Sequence, residues 1–286
     1  MSAPGHRRPA GHARIEAAKA AREKAARRRQ QRPYVLGAIA VVAVALVAVV
    51  VFTSGDDSST VTAADSTATT VAETPPFAYG TATCAPSTSP NPAVTDFPNT
   101  NGFEQCITPD NLYTATFDTS AGTVVVNLDS TTTPGTANNF VELAGYGYYN
   151  GTKLFRTDTS IGIIQGGAPH TNSATDAGPG YTIPDEGGPY TYKPGQLVMA
   201  RTSAANSAGA QFFFTVTDKV SALDKSGTYV VFGTVTKGLD ILQSILASNV
   251  DQPGGLGGAP SPEVTIKSVI IEKAPVVGGT SGTAPG

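Results

Sequence analysis

The chain has 286 residues, 40% of them hydrophobic and only 14% charged, with 31 Gly, 21 Pro, three His and two Cys; that length allows one or two domains. His6 and His12 lie in the first dozen residues, so a His-rich zinc site, a two-His metalloprotease motif, a four-cysteine site and an iron–sulfur cluster are all excluded. The net charge of −3 divides into ten Lys/Arg against two Glu over residues 1–33 and nine against twenty acidic residues over the rest, a basic tail on an acidic body.

Residues 1–33 read as a basic cytoplasmic tail resting on anionic lipid. Glu23 and Arg27 stand at i,i+4 and favour a helix, while no aromatic residue is interleaved for base stacking, so nucleic acid is not an expected partner. Residues 34–52 are apolar without one charge. As a helix they would span about 28 Å, near the hydrocarbon thickness of a bilayer. Arg27, Arg28, Arg29 and Arg32 precede the run and Asp56 and Asp57 follow it, which places the N-terminus in the cytoplasm and the body outside a cell membrane crossed once. A cleaved signal peptide is the rival, but its apolar core is shorter and needs a small-x-small site, which Val51, Phe52 and Thr53 do not offer.

Eleven of the 24 residues at 53–76 are Ser or Thr, a disordered tether with a reach of roughly 27 Å. Residues 77–112 form a lead-in carrying Cys84 and Cys106. In an oxidising compartment two cysteines allow one intramolecular bond, worth about 3 kcal/mol for this separation.

From residue 113 strand patterns dominate. Tyr113, Ala115 and Phe117, then Val124, Val126 and Leu128, alternate with polar residues around Ser120-Ala121-Gly122, a hairpin pattern. Further strands are expected over 161–165, 197–200, 211–217, 229–235 and 264–271. One helix starts with Thr133 as cap and Pro134 in the first position, buries Ala137, Phe140, Val141 and Ala144, and ends at Gly145. A second aligns Leu239, Leu242, Ile245 and Leu246 and stops at Asn249. Many short strands with two lone helices make a mainly β fold, a closed β-barrel capped by helices and preceded by one transmembrane helix. Residues 274–286 read as a flexible tail.

No phosphate loop or Gly-x-Ser-x-Gly elbow is present. Asp185 and Glu186 are adjacent and in a strand would point apart. His170 belongs to an exposed Pro/Thr/Asn loop, and Asn150-Gly151 is a turn whose glycosylation sequon is incidental. Phe155-Arg156, Ile163-Ile164-Gln165-Gly166-Gly167, Met199-Ala200-Arg201 and Gln211-Phe212-Phe213-Phe214 form the informative group. Alternation puts Gln211 and Phe213 on one strand face and Phe212 and Phe214 on the other, so one face can line an apolar pocket while the other fills a barrel. A permanently charged guanidinium beside such a pocket, with no general base and no metal site, suits holding a polar group in dry surroundings.

These stretches, with Pro134-Gly135-Thr136-Ala137-Asn138-Asn139-Phe140, Gly147-Tyr148-Tyr149-Asn150-Gly151, Gly178-Pro179-Gly180-Tyr181 and Val231-Phe232-Gly233, closely resemble the cyclophilin family of peptidyl-prolyl cis/trans isomerases over residues 113–273. The lead-in with Cys84 and Cys106 looks like that of membrane-anchored actinobacterial members. The resemblance implies an eight-stranded antiparallel barrel with two capping helices, X–Pro isomerisation on exported proteins, proline-containing polypeptides as substrates, a monomer and no cofactor. It implies Arg156 as the catalytic residue, Gln165 and Gln211 as groups that hold substrate, and Phe213 as the floor of a proline pocket walled by Ile163 and Leu223. Ala200 and Arg201 match the strand that pairs with the peptide, and Phe155 and Tyr229 stand where the family has pocket histidines. Arg201 stands at the usual asparagine, and the tryptophan position falls at Ala222. With the rim altered in this way, the alternative function is a non-catalytic module that binds proline-containing segments of the cell envelope.

Overall fold

A computed structural model describes residues 76–254 and 256–276. The expected membrane segment, basic tail and most of the tether lie outside the described residues. Among the described residues no helix is long and apolar enough to cross a membrane.

The first hairpin forms as its alternation requires. β1 (Asn111–Thr119) and β2 (Gly122–Leu128) pair antiparallel with Phe117 opposite Val124 and Ala115 opposite Val126. Tyr113, Ala115, Phe117, Val124, Val126 and Leu128 are all buried. The helix α1 (Pro134–Gly145) follows, then β3 (Arg156–Asp158), β4 (Ile163–Gly166), β5 (Gln196–Met199), β6 (Phe212–Thr215), a 3-10 turn (Asp218–Leu223) and β7 (Val231–Lys237). The helix α2 (Leu239–Ala247) leads into β8 (Asn249–Asp251), β9 (Gly258–Pro260) and β10 (Ile266–Pro275).

The fold is mainly β and antiparallel, but the expected closed eight-stranded ladder is corrected. The described residues form ten strands, in the order β10-β1-β2-β7-β5-β6-β4-β3-β9-β8, and the ladder is open between β10 and β8. The two added strands are a hairpin from the Gly- and Pro-rich stretch after α2, which has no alternation to announce it; β9 docks on β3 through Thr157 opposite Gly258. Three backbone hydrogen bonds between residues 151–154 and 264–266, around an isolated antiparallel bridge of Lys153 with Thr265, join the segments that lead into β3 and β10. β10 also runs further than expected, so Ala274 and Pro275 pair with Leu112 and Asn111 and do not belong to a flexible tail. The rest of that tail, 277–286, lies outside the described residues.

Inside the sheet Phe117, Phe140, Tyr149, Phe212, Phe214 and Phe232 pack mostly at edge-on or tilted angles with centroids 4.9–5.9 Å apart. Each such ring is worth about 1.5–3 kcal/mol in burial. α1 is buried on nearly every side, although its sequence looked amphipathic. The lead-in explains this. Asn138 accepts hydrogen bonds from the Cys106 and Ile107 N–H groups at 2.8 and 3.1 Å and donates to the Glu104 carbonyl at 2.9 Å; Glu142 accepts from the Ala85 N–H. Burial pushes the Glu142 carboxyl above its ordinary range, with the Ala85 hydrogen bond opposing. Cys84 and Cys106 are bonded, and Ala82, Phe97, Phe103 and Ile107 join the core of the sheet. The lead-in is therefore part of the folded body. Thr133 occupies the cap position, but its hydroxyl donates to the Asp129 and Val231 carbonyls. The first α1 N–H groups, on Gly135 and Thr136, are taken instead by Glu186 at 2.9 and 2.8 Å, where a carboxylate also complements the helix dipole.

His170 is at the surface, as expected, but it is tied on both sides. Nδ1 meets Asp176 at 2.9 Å, and Nε2 meets Asp96 of the lead-in at 3.4 Å. The hydrogen bond to Asp176 raises its pKa above the ordinary 6.5, burial opposes the rise, and Asp96 adds to it. A raised folded pKa stabilises the fold below the unfolded value, and that contribution fades as pH climbs through the folded one. His170→Ala is therefore expected to lower the melting temperature at about pH 6 more than at about pH 9. A gap that does not change with pH would remove this ion pair from the account.

Candidate active site

The outer face of the sheet carries one cross-strand row. Arg156 on β3 faces Gln165 on β4, Gln165 faces Phe213 on β6, Phe213 faces Val198 on β5, and Val198 faces Val231 on β7. Residues directly opposite in antiparallel strands project to the same side, so the row sets a polar end beside an apolar one. Phe213 alternates away from Phe212 and Phe214 as its sequence requires. It belongs to a second, small apolar cluster with Ile163, Tyr192, Val198 and Val220, flanked by half-buried Ala200, Leu223, Tyr229 and Val231.

Five sequence-expected pocket residues (Ile163, Ala200, Phe213, Leu223 and Tyr229) thus meet in one apolar cluster. Leu223 arrives from the end of the 3-10 turn, which the sequence did not announce. The Phe213 and Tyr229 rings meet edge-on at 5.7 Å. Tyr229 is fixed through its backbone: its N–H donates to the Tyr192 hydroxyl at 2.8 Å and its carbonyl accepts from that hydroxyl at 3.0 Å. Arg201 stacks 5.7 Å from the Tyr229 ring centre and hydrogen-bonds the Thr228 and Ala204 carbonyls, with Asp185 3.5 Å away. Its guanidinium therefore braces the rim. The Ala200 N–H is taken by the Gln211 carbonyl at 2.8 Å. Ala222 is exposed.

At the polar end, Arg156 Nη1 donates to Gln165 Oε1 at 2.9 Å, and Gln165 Nε2 donates to Gln211 Oε1 at 2.8 Å. Gln211 in turn reaches the Ser173 and Ala174 carbonyls. Arg156 Nη2 pairs with Asp158 at 2.8 Å, and Nε donates to the Leu256 carbonyl. The Arg156 side chain is 21% exposed, so the charge is largely withdrawn from water yet reachable. Burial pushes the Asp158 carboxyl up, but hydrogen bonds from Ser160 and the Arg156 charge outweigh it and hold the carboxyl below its ordinary 3.8.

Phe155 is not brought to this group. It precedes Arg156 in the chain and lines a surface depression with Lys153, Asn172, Pro260 and Val264. Asp158 and Leu256 were missed. Asp158 had a signal, since i and i+2 in a strand share a face; Leu256 contributes a carbonyl, which no residue type reveals.

A ring set in an apolar cluster, with a guanidinium and two amides beside it, suits an apolar ring next to a peptide group. That is the class of a prolyl-peptide site. Residues 114–271 match the sequence profile of the cyclophilin type peptidyl-prolyl cis-trans isomerases, and the chain belongs to that family. A peptidyl-prolyl cis-trans isomerase of Streptomyces antibioticus is 33% identical over 175 residues, covering 58% of this chain and 99% of the relative. A Mycobacterium leprae protein described as "probable peptidyl-prolyl cis-trans isomerase B" is 34% identical over 174 residues, covering 55% of this chain; the chain spans only 56% of that relative. The crystal structure of a Cryptosporidium parvum cyclophilin type peptidyl-prolyl cis-trans isomerase is similar at 28% identity with a TM-score of 0.49, covering 57% of this chain and 99% of that one.

Proposed function

We propose that the chain is a peptidyl-prolyl cis/trans isomerase that assists the folding of exported proteins, of the membrane-anchored actinobacterial type. The observation that carries the reading is the row Arg156–Gln165–Phe213, with the apolar cluster around its last member. An X–Pro bond turns over a barrier of about 18–20 kcal/mol because amide resonance resists twisting. Resonance needs the prolyl nitrogen's lone pair. As the bond twists, the nitrogen pyramidalises and that pair becomes free to accept a hydrogen bond. A donor aimed at it stabilises the twisted state more than either planar one, and so lowers the barrier.

Arg156 is that donor. Gln165 and Gln211 hold the substrate backbone, Phe213 floors the proline pocket, and Ile163, Leu223 and Tyr229 wall it. Ala200 and Arg201 lie along the path of the peptide. The chemistry needs neither a general base nor a cofactor. Proline-containing polypeptides are the substrates, and the unit acts as a monomer.

The charge asymmetry, the apolar run at 34–52 and the acidic exit support a single-pass anchor in the cell membrane with the N-terminus in the cytoplasm. The Cys84–Cys106 bond supports an oxidising compartment for the body. A reporter active only outside the cytoplasm, fused after Gly286, is expected to be active. Activity confined to a cytoplasmic reporter overturns the localisation. The catalytic reading is tested by exchange measurements on an X–Pro peptide. If the protein binds the peptide and leaves the exchange at its uncatalysed rate, it is a binding module.

A further inference from the structure

We propose that Asp158 is a positioning residue for Arg156, acting together with the Leu256 carbonyl to hold the guanidinium in one orientation. The inference rests on the isomerase reading above, in which Arg156 donates to the prolyl nitrogen.

A guanidinium has five N–H donors in one rigid plane. Held by one acceptor, it swings on its flexible stem. Here each nitrogen has its own acceptor: Nη1 has Gln165 Oε1, Nη2 has Asp158 Oδ2, and Nε has the Leu256 carbonyl. Three acceptors around one plane fix both its position and its tilt. They take three of the five N–H groups and leave two for a substrate.

Asp158 is itself immobilised. It is 7% exposed, and its second oxygen accepts from the Ser160 N–H at 3.0 Å and the Ser160 hydroxyl at 2.6 Å. Arg156 and Ser160 thus account for every hydrogen bond of this carboxylate within the described residues, so it has no structural partner on another strand. The Leu256 carbonyl is placed by the added hairpin. Gly257 has φ +92°, and a Cβ there would fall 2.5 Å from the Thr157 carbonyl, so the hairpin lies directly on the β3 backbone. Asn249 of β8 also accepts a hydrogen bond from the Thr157 hydroxyl. The two strands that open the ladder therefore supply one of the three holds on Arg156.

The test uses the full chain in detergent and measures kcat and KM by exchange on an X–Pro peptide. Asp158→Ala is expected to lower kcat by roughly 10- to 100-fold, the cost of a misplaced catalytic group, with KM nearly unchanged. Asp158→Asn keeps an acceptor oxygen and should recover most of the rate. In an Arg156→Ala background, Asp158→Ala should cost nothing further, because it acts only through Arg156. The Arg156 Nε–H nuclear magnetic resonance signal, identified by its loss in Arg156→Ala, should be sharp in the wild type and broadened in Asp158→Ala. Should Asp158→Ala fail to fold, Ser160→Ala carries the test, with a smaller fall in kcat and the same broadening.

An unchanged or faster kcat in folded Asp158→Ala overturns the proposal, the faster rate marking Asp158 as a brake on the guanidinium charge. A loss that persists without Arg156, or that appears in KM, overturns it too. If Arg156→Ala itself keeps the wild-type rate, the fault lies in the isomerase mechanism; if Arg156→Ala is slow and Asp158→Ala is not, it lies here.

Discussion

Arg156→Ala is expected to slow X–Pro isomerisation by roughly 30- to 1000-fold. A charged donor that engages mainly in the transition state is worth about 2–4 kcal/mol, by analogy with lost oxyanion-hole donors. At about 1.4 kcal/mol per decade, that range gives the factor. The fall should appear in kcat. Arg156→Lys should restore little, because an ammonium has no planar fork and cannot meet Gln165, Asp158 and Leu256 together. Phe213→Ala should act on the other term, raising KM by removing the apolar floor that the cluster builds around it. A folded Arg156→Ala protein with the wild-type rate would falsify the mechanism while leaving the family unchanged.

Loss of the Cys84–Cys106 bond is expected to destabilise the folded body by about 3 kcal/mol. The bond closes a separation of 22 residues, and the chain-entropy relation gives this figure for such a loop. For a body of this size the melting temperature should fall by roughly 6–12 °C. The site of the strap explains why the loss would be felt. The lead-in covers the polar side of α1, where Asn138 and Glu142 are buried and depend on its backbone for partners. Freed from the bridge, the lead-in must be ordered at full entropic cost or leave those groups unpaired. Cys84→Ser with Cys106→Ser, followed by thermal melting, checks this. A shift below about 2 °C would mean that Phe97, Phe103 and Ile107 hold the strap without the bond.

Much of this molecule is legible one segment at a time. Alternation separated Phe213 from Phe212 and Phe214, and the structure puts them in two different clusters. Thr133-Pro134 and Gly145 marked both ends of α1. The cluster Ile163, Ala200, Phe213, Leu223 and Tyr229 was reachable through the family's motifs, because the resemblance carries spatial information that spacing alone lacks. Phe155 is the counterexample: the family's motif, with a pocket histidine at that position, argued for the site, yet successive residues of an extended chain point apart, and Phe155 lines a separate depression.

Other features were not there to be read. The cap of α1 comes from Glu186, about 50 residues along the chain, and the third hold on Arg156 comes from a carbonyl 100 residues away. The hairpin of β8 and β9 has no hydrophobic period because it packs through backbone and glycine. Periodicity, caps and turns are local consequences of backbone geometry, so composition and spacing determine where strands and helices begin and which face they bury. Which carboxylate meets which N–H, and whether a ladder ends at eight strands or ten, depends on contacts between distant segments. Those are selected by the competition among whole packings, and only the tertiary structure records the outcome.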